Sequence, residues 1–328
     1  MSLKIIKAGI LDTIQDSGRY GYQHLGINPT GTMDSFSAQL ANALLGKKLD
    51  TLVIEIHFPA SVFLFEKTAV ACISGADFSA TLNDQPIPLH QPFIAPENSR
   101  LQFKRWISGT RCYLSLLHDL QVEEWLQSAS TNLKAFAGGW KGRKLLKDDC
   151  ILYKEKSNLV IRTNSVDPTT LHWKASSLLI NNKMDCIKGN EWNWLTAQAQ
   201  ELFQNTNFTI SRFSDRMGYR LDSKPLIAVQ HKDLVSSAVN FGTVQLLPNG
   251  QLIILMADHQ TTGGYPRLAH VSSTSLSSLA QLNPKDEIRF QFISLLEAED
   301  NLLQQQRYLE QLRNTCKLKI ENLLHAAM

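Results

Sequence analysis

The chain has 328 residues, of which 43% are hydrophobic and 19% charged, a composition ordinary for a globular protein with room for two domains. Its formal net charge of +3 gives no strong basic field, so nucleic acid is not an expected partner. Its apolar runs are far shorter than the roughly 20 residues of a membrane helix, and the N-terminus lacks the apolar segment of a signal peptide, which predicts a cytoplasmic protein without a membrane partner.

The first half of the chain is predicted to consist mainly of short strands. A strand over 5–13 leads into a glycine-rich loop and then a helix over 36–45, which Asp34 or Ser35 can cap. Turn residues separate the strands that follow, and this punctuation favours a sandwich or barrel over alternating β/α units. These strands are predicted over 52–56, 62–65, 69–73, 79–82, 101–103 and 112–116, with a short helix over 122–127 after them.

The second half has the same character until residue 294. Strands are predicted over 158–163, 178–181, 209–212, 244–247, 252–256 and 287–293, with one helix beginning near Trp194 and another over 276–282. The turn Pro248-Asn249-Gly250 indicates a hairpin. After Ser294, leucines recur at helical spacing without glycine or proline, which predicts a long amphipathic helix or a helix pair.

Three short motifs occur twice in the same order, at similar intervals. Arg19-Tyr20-Gly21-Tyr22 returns as Arg216-Met217-Gly218-Tyr219, and Ala76-Asp77 after an apolar strand returns as Ala257-Asp258. A proline, a charged turn and a short strand recur from Pro96 and from Pro284. Chance is the alternative, but collinear matches favour an internal duplication. The sequence therefore predicts two β-rich domains, 1–150 and 151–294, followed by a helical extension over 295–328.

The most polar loop follows the apolar strand that ends at Met256. Within ten residues it contains Asp258, Gln260, Thr261, Thr262, Gly263, Gly264 and Tyr265. Two adjacent glycines let the backbone approach a ligand, and successive N–H groups with nearby hydroxyls can form an anion-binding nest. The alternative is a hairpin loop with polar ends.

Cysteine and histidine spacing argues against a metal site. The five cysteines lie tens of residues apart without a Cys-x-x-Cys pair, and their odd number does not suit a disulfide framework. The nine histidines show neither His-x-His nor His-Glu-x-x-His spacing. No metal ligand is therefore predicted.

Several long motifs resemble the signatures of one family, the biotin-dependent carboxyltransferase / allophanate hydrolase subunit 2 family. Its free-standing members include the C subunits of 5-oxoprolinases and KipA-type antagonists of a sporulation kinase inhibitor, and this chain looks most like those C subunits. The resemblance implies two cyclophilin-like β-barrel domains. The motifs lie in order between about Leu3 and Phe290, at 14–26, 31–34, 74–78, 214–221, 242–245 and 257–266.

The resemblance also implies an activity and partners. It implies the C component of an ATP-dependent 5-oxoprolinase, which acts with a KipI-like B component and an A component to convert 5-oxo-L-proline, ATP and water to L-glutamate, ADP and phosphate. ATP, with or without Mg²⁺, would act in that complex. One alternative is the carboxyltransferase component of a biotin-dependent, urea-carboxylase-like system, although the chain lacks a Met-Lys-Met biotin-acceptor site. Another is a KipA-like regulatory protein that binds a KipI-type kinase inhibitor.

Either reaction needs hydrogen-bond donors for a developing oxyanion or phosphate and groups that handle protons. By the resemblance, the expected catalytic residues are Asp34, Arg216 and Asp258. The expected substrate- or phosphate-binding residues are Arg19, Asp215, Gln245, Gln260, Thr261, Thr262, Gly263, Gly264 and Tyr265. For each Arg/Asp pair, the alternative is an ion pair that fixes a loop. His259 stands where many relatives have arginine, so a group that titrates near neutrality replaces a permanent cation.

Overall fold

The structure is a computed structural model that describes residues 2–154, 169–176, 180–229 and 234–326. The strand predicted over 158–163 and the first two residues of the one predicted over 178–181 lie outside the described residues. Contacts divide the chain into two units. The first contains the described residues of 1–18, 34–178 and 306–328, and the second those of 19–33 and 179–305.

The described strands of the first unit form two six-stranded sheets. Numbered in chain order, the strands are β1 (Ser2–Lys7), β2 (Thr13–Gln15), β3 (Val53–Ile56), β4 (Val62–Phe65), β5 (Ala69–Asp77), β6 (Ala80–Leu82), β7 (Gln85–Pro86), β8 (Phe93–Ala95), β9 (Ser99–Phe103), β10 (Ser108–Leu116), β11 (Cys150–Leu152) and β12 (Thr169–Thr170). With this numbering, the sheet orders are β11–β1–β4–β9–β6–β7 and β12–β8–β5–β10–β3–β2. The apolar side chains of both sheets, such as Leu3, Phe63 and Leu114, form one core cluster.

Helix α1 (Ser35–Leu44) and the long C-terminal helix α4 (Leu295–Ala326) supply a second apolar cluster of the first unit. Phe36 and Leu40 of α1 cluster with Leu309, Cys316 and Ile320 of α4. The α4 residues are spaced by seven and by four, so they share one helix face. The predicted C-terminal extension is therefore a single helix. None of the helices in the described part of the chain has the length and apolar character needed to cross a membrane.

The second unit is a closed seven-stranded barrel with the order β13–β20–β17–β18–β15–β14–β21. Strand β13 pairs in parallel with β21, and the other neighbours are antiparallel. Helices α2 (Ala197–Asn205) and α3 (Ser273–Ala280) pack on it. The strands are β13 (Lys183–Lys188), β14 (Phe208–Ile210), β15 (Gly218–Asp222), β16 (Ser237–Ala238), β17 (Thr243–Leu246), β18 (Leu252–Leu255), β19 (Thr262–Gly263), β20 (Arg267–Val271) and β21 (Glu287–Phe292), with β16 and β19 forming a separate ribbon.

The mainly β fold with a C-terminal helix confirms the predicted fold class, and three local predictions are wrong. The described part of the strand predicted over 178–181 is not a strand, because the nearest strand begins at Lys183. The strand predicted over 5–13 is interrupted, because the Asp12 carboxylate accepts the backbone N–H groups of His57 and Ser61 and holds a turn between β1 and β2. The helix predicted over 122–127 does not form. Leu126 and Gln127 have φ values of 51° and 62°, which an α-helix does not allow.

The domain boundaries predicted at 150/151 and 294/295 stay a prediction, and the two contact units are drawn differently along the chain. Strand β11, which crosses the first boundary, pairs with β1 of the first unit. Residues 19–33 belong to the second unit, and the part of α4 from residue 306 belongs to the first. A sequence division assumes continuous segments, whereas each unit here is built from separate ones.

Candidate functional site

A cavity of the second unit lies on the outer face of three adjacent barrel strands. Arg220 on β15, Ile253 on β18 and Gln245 on β17 are aligned in register across the strands. Side chains alternate between the two faces of a strand, so the neighbouring Ile254 points into the barrel core while these three point outward. The cavity has a volume of about 530 Å³, which is within the range of small-molecule sites.

Four of the predicted binding residues line this cavity: Asp215, Gln245, Gln260 and Tyr265. The walls combine polar groups with apolar surface, which suits a small polar molecule with an apolar part. The other lining residues are Phe213, Met217, Gly218, Arg220, Leu247, Pro248, Asn249, Ile253 and Leu255.

Gln245 lines the cavity and carries a buried hydrogen-bond donor that is unsatisfied. Its side chain is 1% exposed, and its amide Nε2 has no acceptor among the described residues. Gly263 gives the amide its space, because a Cβ at that position would lie 2.6 Å from Nε2. A buried donor left without an acceptor costs about 1–3 kcal/mol. An acceptor on a bound ligand would remove that cost.

Arg216 and Asp258, two of the three predicted catalytic residues, bind each other. Nε and Nη2 of Arg216 donate to the two carboxylate oxygens of Asp258 at 2.8 and 3.0 Å, and Nη2 also donates to the carbonyl of Gly31 at 2.7 Å. The backbone N–H of Asp258 donates to the carbonyl of Arg216 at 2.8 Å. Arg216 is 7% exposed, so its guanidinium is buried. The bidentate ion pair with Asp258 joins the loops next to β15 and β18.

Arg19 and Asp34 are also buried, and each makes local contacts. Nη1 of Arg19 donates to the hydroxyl of Thr30 at 2.6 Å. Asp34 belongs to the first unit and caps α1, and its N–H donates to the hydroxyl of Tyr113 at 2.8 Å. That hydroxyl donates to Glu55 at 2.8 Å. Burial and the charge of Glu55 raise the pKa of Tyr113 well above its ordinary value, so the hydroxyl stays protonated.

The predicted nest from Thr261 to Gly264 is part of a two-stranded ribbon. Thr262 and Gly263 form β19, which pairs with β16. The carbonyl of Thr261 accepts the N–H of Val239 at 3.2 Å. The ribbon holds this stretch in a defined position beside Gln245. Anion binding by its N–H groups stays a prediction.

A second ion pair, which the sequence did not indicate, supports this ribbon. Arg267 donates from Nε and Nη2 to the two carboxylate oxygens of Glu191 at 3.0 and 2.9 Å, and from Nη1 to the hydroxyl of Ser237 in β16 at 2.9 Å. Burial acts to raise the pKa of Glu191, but hydrogen bonds from Arg267 outweigh it and lower that pKa, so the carboxylate stays ionised. The partners are 76 residues apart, and no short motif links them.

His259 does not supply a cation at the position where the resemblance implies an arginine. The ring is 3% exposed, and Nδ1 lies 2.5 Å from the carbonyl of Gln260, which it can contact as an N–H donor. Burial lowers the pKa of His259, although the carbonyl of Gln260 and the charge of Asp258 oppose that shift. At neutral pH the side chain is therefore a neutral donor that fixes its own loop.

Arg220 is one of several cavity residues that were not predicted from the sequence, and it is the charged one. It lies within the motif 214–221, and the alternation of the observed strand Gly218–Asp222 places it on the face opposite Tyr219 and Leu221. The alternation along the strand shows on which face Arg220 lies. It does not show which residues lie beside Arg220, because those depend on strand pairing. No group of three or more His, Cys, Asp or Glu side chains in the described part of the chain is placed to hold a metal.

A sequence model described as carboxyltransferase domain, subdomain A and B, matches residues 25–292. The chain belongs to this carboxyltransferase family. The match confirms the resemblance drawn from the motifs, and it covers both units.

Two relatives in the carboxyltransferase family match nearly the whole chain. The C subunit of the Escherichia coli 5-oxoprolinase is 35% identical over 310 residues, which cover 94% of this chain and 97% of that protein. The C subunit of the Haemophilus influenzae 5-oxoprolinase is 32% identical over 302 residues, which cover 92% of this chain and 94% of that protein.

A solved urea carboxylase contains a similar fold as part of a longer chain. The crystal structure of the Kluyveromyces lactis urea carboxylase matches with a TM-score of 0.87 at 25% identity. The match covers 95% of this chain and 29% of the urea carboxylase chain. This chain therefore spans less than a third of that protein.

Proposed function

We propose that this chain is the C component of an ATP-dependent 5-oxoprolinase, and that the cavity over β15, β18 and β17 binds its substrate. The observation that carries the proposal is a small cavity with an unsatisfied buried amide at Gln245, in a chain that matches two proteins named as 5-oxoprolinase C subunits over almost their full length. An enzyme that opens a lactam needs a site that recognises an amide.

The contacts favour supporting roles for the three residues predicted to be catalytic. In this proposal the Arg216–Asp258 pair positions the loop that contains Gln260, and Asp34 caps α1. Gln245, Gln260 and Tyr265 bind the substrate, since they line the cavity. Groups whose hydrogen-bonding positions are taken up by each other have fewer donors and acceptors left for a substrate.

The full reaction requires partners and ATP. In the proposed complex a KipI-like B component and an A component complete the enzyme, and this chain has little activity alone. ATP, with or without Mg²⁺, would transfer its terminal phosphoryl group to the lactam oxygen and leave as ADP, and attack by water would then open the ring and release phosphate. We assign ATP to the complex and not to particular residues here, since the sequence has no Gly-x-x-x-x-Gly-Lys-Ser/Thr motif.

An omission experiment tests the proposal. The A and B components and this chain are purified separately, and ADP release is measured with 5-oxo-L-proline present and absent. We expect substrate-dependent ATP hydrolysis and glutamate formation only when all three are mixed. Full activity without this chain would rule the proposal out. A stable complex with the B component but unchanged turnover would favour the KipA-like regulatory role instead.

Carboxyl transfer from biotin is the second candidate, and the fold match to urea carboxylase favours it. It requires a biotinylated partner protein. Affinity capture on this chain followed by streptavidin detection would find such a partner, and its recovery together with urea-dependent turnover would replace the first proposal.

A further inference from the structure

Three outward-facing side chains form a row on the floor of the cavity. Arg220 and Gln245 are both paired with Ile253, one on each side. Neighbouring strands lie about 4.8 Å apart, so the backbones that bear Arg220 and Gln245 are about 10 Å apart. A small ring fits between them above Ile253, with a cationic group at one edge and an amide at the other.

Gly218 leaves room for the side chain of Ile253 on the cavity floor. A Cβ at Gly218 would lie 2.7 Å from Cδ1 and 2.9 Å from Cγ1 of Ile253, so the isoleucine side chain occupies the space above Gly218. The row therefore presents the flank of Ile253 as an apolar surface. Such a surface suits the methylene face of a saturated ring.

The two ends of the row differ in chemistry and in exposure. Arg220 is exposed, and its guanidinium has no hydrogen bond or ion pair within the described residues. Gln245 is buried and unsatisfied at Nε2. Rotation about the last side-chain bond of Gln245 can present its N–H or its carbonyl to the cavity, because such torsions are broad. One end suits a carboxylate and the other a neutral amide.

Asp215, an acidic residue in the loop before β15, does not neutralise the charge of Arg220. Asp215 lines the cavity, but its Oδ1 accepts the N–H groups of Met217 and Gly218 at 2.8 and 3.2 Å. Its carboxylate therefore caps the loop, and it makes no ion pair with Arg220 among the described residues. The guanidinium charge remains available to a ligand.

We propose that Arg220 and Ile253, together with Gln245, form the subsite that selects the carboxylate-bearing lactam of the proposed reaction over molecules that lack the carboxylate or the lactam. The carboxylate binds Arg220, the ring methylenes lie on Ile253, and the lactam edge pairs with the Gln245 amide. A lactam presents N–H and C=O on the same side, and a glutamine amide offers the complementary acceptor and donor. This inference rests on the proposed function and adds Arg220 and Ile253 as specificity determinants.

Two fragments of the substrate test the two ends of the row independently. 2-Pyrrolidinone has the lactam without the carboxylate, and L-proline has the carboxylate without the lactam carbonyl. In the three-component complex, KM and kcat for 5-oxo-L-proline are measured together with inhibition by each fragment. The variants are Arg220→Gln and Gln245→Met, with Gln245→Glu as a second, nearly isosteric change. The matched control is Arg289→Gln, an exposed arginine on β21 of the same barrel.

We expect R220Q to raise KM roughly tenfold to 100-fold, as loss of a hydrogen bond to a charged group does, with inhibition by 2-pyrrolidinone unchanged. Q245M and Q245E should raise KM about tenfold and leave inhibition by L-proline unchanged. R289Q should leave KM within about twofold of the wild-type value. If Arg220 and Gln245 had a purely structural role, each variant would weaken inhibition by both fragments to the same extent.

The inference is overturned if R220Q and both Gln245 variants leave KM within about twofold, or if they affect the two fragments equally. Those results would leave the proposed function intact as long as omission of this chain still abolishes turnover. If turnover does not need this chain, the proposed function fails and the inference fails with it.

Discussion

Two pairs of loops share local sequence but differ in their contacts. Asp77 and Asp258 each follow an alanine at the end of an apolar strand. Asp77 accepts the N–H of Ser79 at 2.8 Å and so caps its own turn, whereas Asp258 accepts two hydrogen bonds from Arg216. The same residue type at a repeated position stabilises a turn in one copy and joins two loops in the other. A repeated motif therefore predicts where a polar group lies but not what it binds.

Gly21 and Gly218 differ in the same way. Gly21 has a φ of 92° and open space around its Cα, so glycine is needed there for its backbone conformation. At Gly218 the limit is space, because a Cβ would meet Ile253. The first glycine shapes a turn, and the second shapes the floor of a cavity.

The largest effect should follow from removing Asp258. D258A leaves the buried Arg216 guanidinium without its carboxylate, which should cost about 3 kcal/mol of unfolding free energy. D77A loses one hydrogen bond within a turn and should cost about 1 kcal/mol. Urea denaturation of both variants measures the difference. Equal losses would show that the two aspartates have the same role after all.

The glycine variants should cost similar stability but differ in function. G21A must place alanine at positive φ, at a cost of about 1–2 kcal/mol. G218A must displace Ile253, at a cost of about 1–3 kcal/mol. Only G218A should raise KM for the substrate of the complex, because only it alters the cavity floor. Thermal denaturation and steady-state kinetics check both, and a KM change in G21A with none in G218A would contradict the comparison.

The smallest effects should appear in the pH dependence of stability, with opposite signs in the two units. Burial lowers the pKa of His259 below its unfolded value near 6.5, so its stabilising contribution is complete above pH 6.5 and is lost as the pH falls. Burial raises the pKa of Asp12 to about 6, against hydrogen bonds from Ser61 and His57. Its contribution is therefore complete below about pH 3.8 and is lost as the pH rises through about 6.

H259Q and D12N separate these two contributions. The difference in unfolding free energy between wild type and H259Q should shrink as the pH falls from 7.5 to 5.5. The difference between wild type and D12N should change in the opposite direction as the pH falls from 6.5 to 4. Urea denaturation at each pH measures both, and parallel curves for variant and wild type would show that the group does not titrate in this range.

The strands and the family could be predicted from local pattern. The strand predicted over 62–65 matches β4 residue for residue, and the hairpin at Pro248-Asn249-Gly250 connects β17 to β18 as expected. Alternating apolar residues and turn residues act over a few positions, so a sequence shows them directly. The helix predicted over 122–127 was wrong because the backbone bridge from Glu123 to the distant Gly139, together with the local bridge between Trp125 and Ser128, holds that segment in a non-helical conformation.

The candidate site could be predicted only in part. The polar loop with two glycines identified Gln260 and Tyr265, the resemblance identified Asp215 and Gln245, and all four line the cavity. It could not show that Arg216 is engaged by Asp258 or that Arg267 holds Glu191, because those partners are 42 and 76 residues apart. Ion pairing depends on distance in space, and distant segments of the chain determine it.

By itself the sequence determined the β-rich architecture, the repeated motifs and the family. Hydrophobic periodicity and turn chemistry encode these features locally, and long motifs carry the resemblance. Only the tertiary structure decided which outward-facing side chains meet. Arg220, Ile253 and Gln245 come from three strands, and strand register alone puts them in one row. A shift of one residue in that register would turn Gln245 into the core, so the cavity is a property of the assembled barrel.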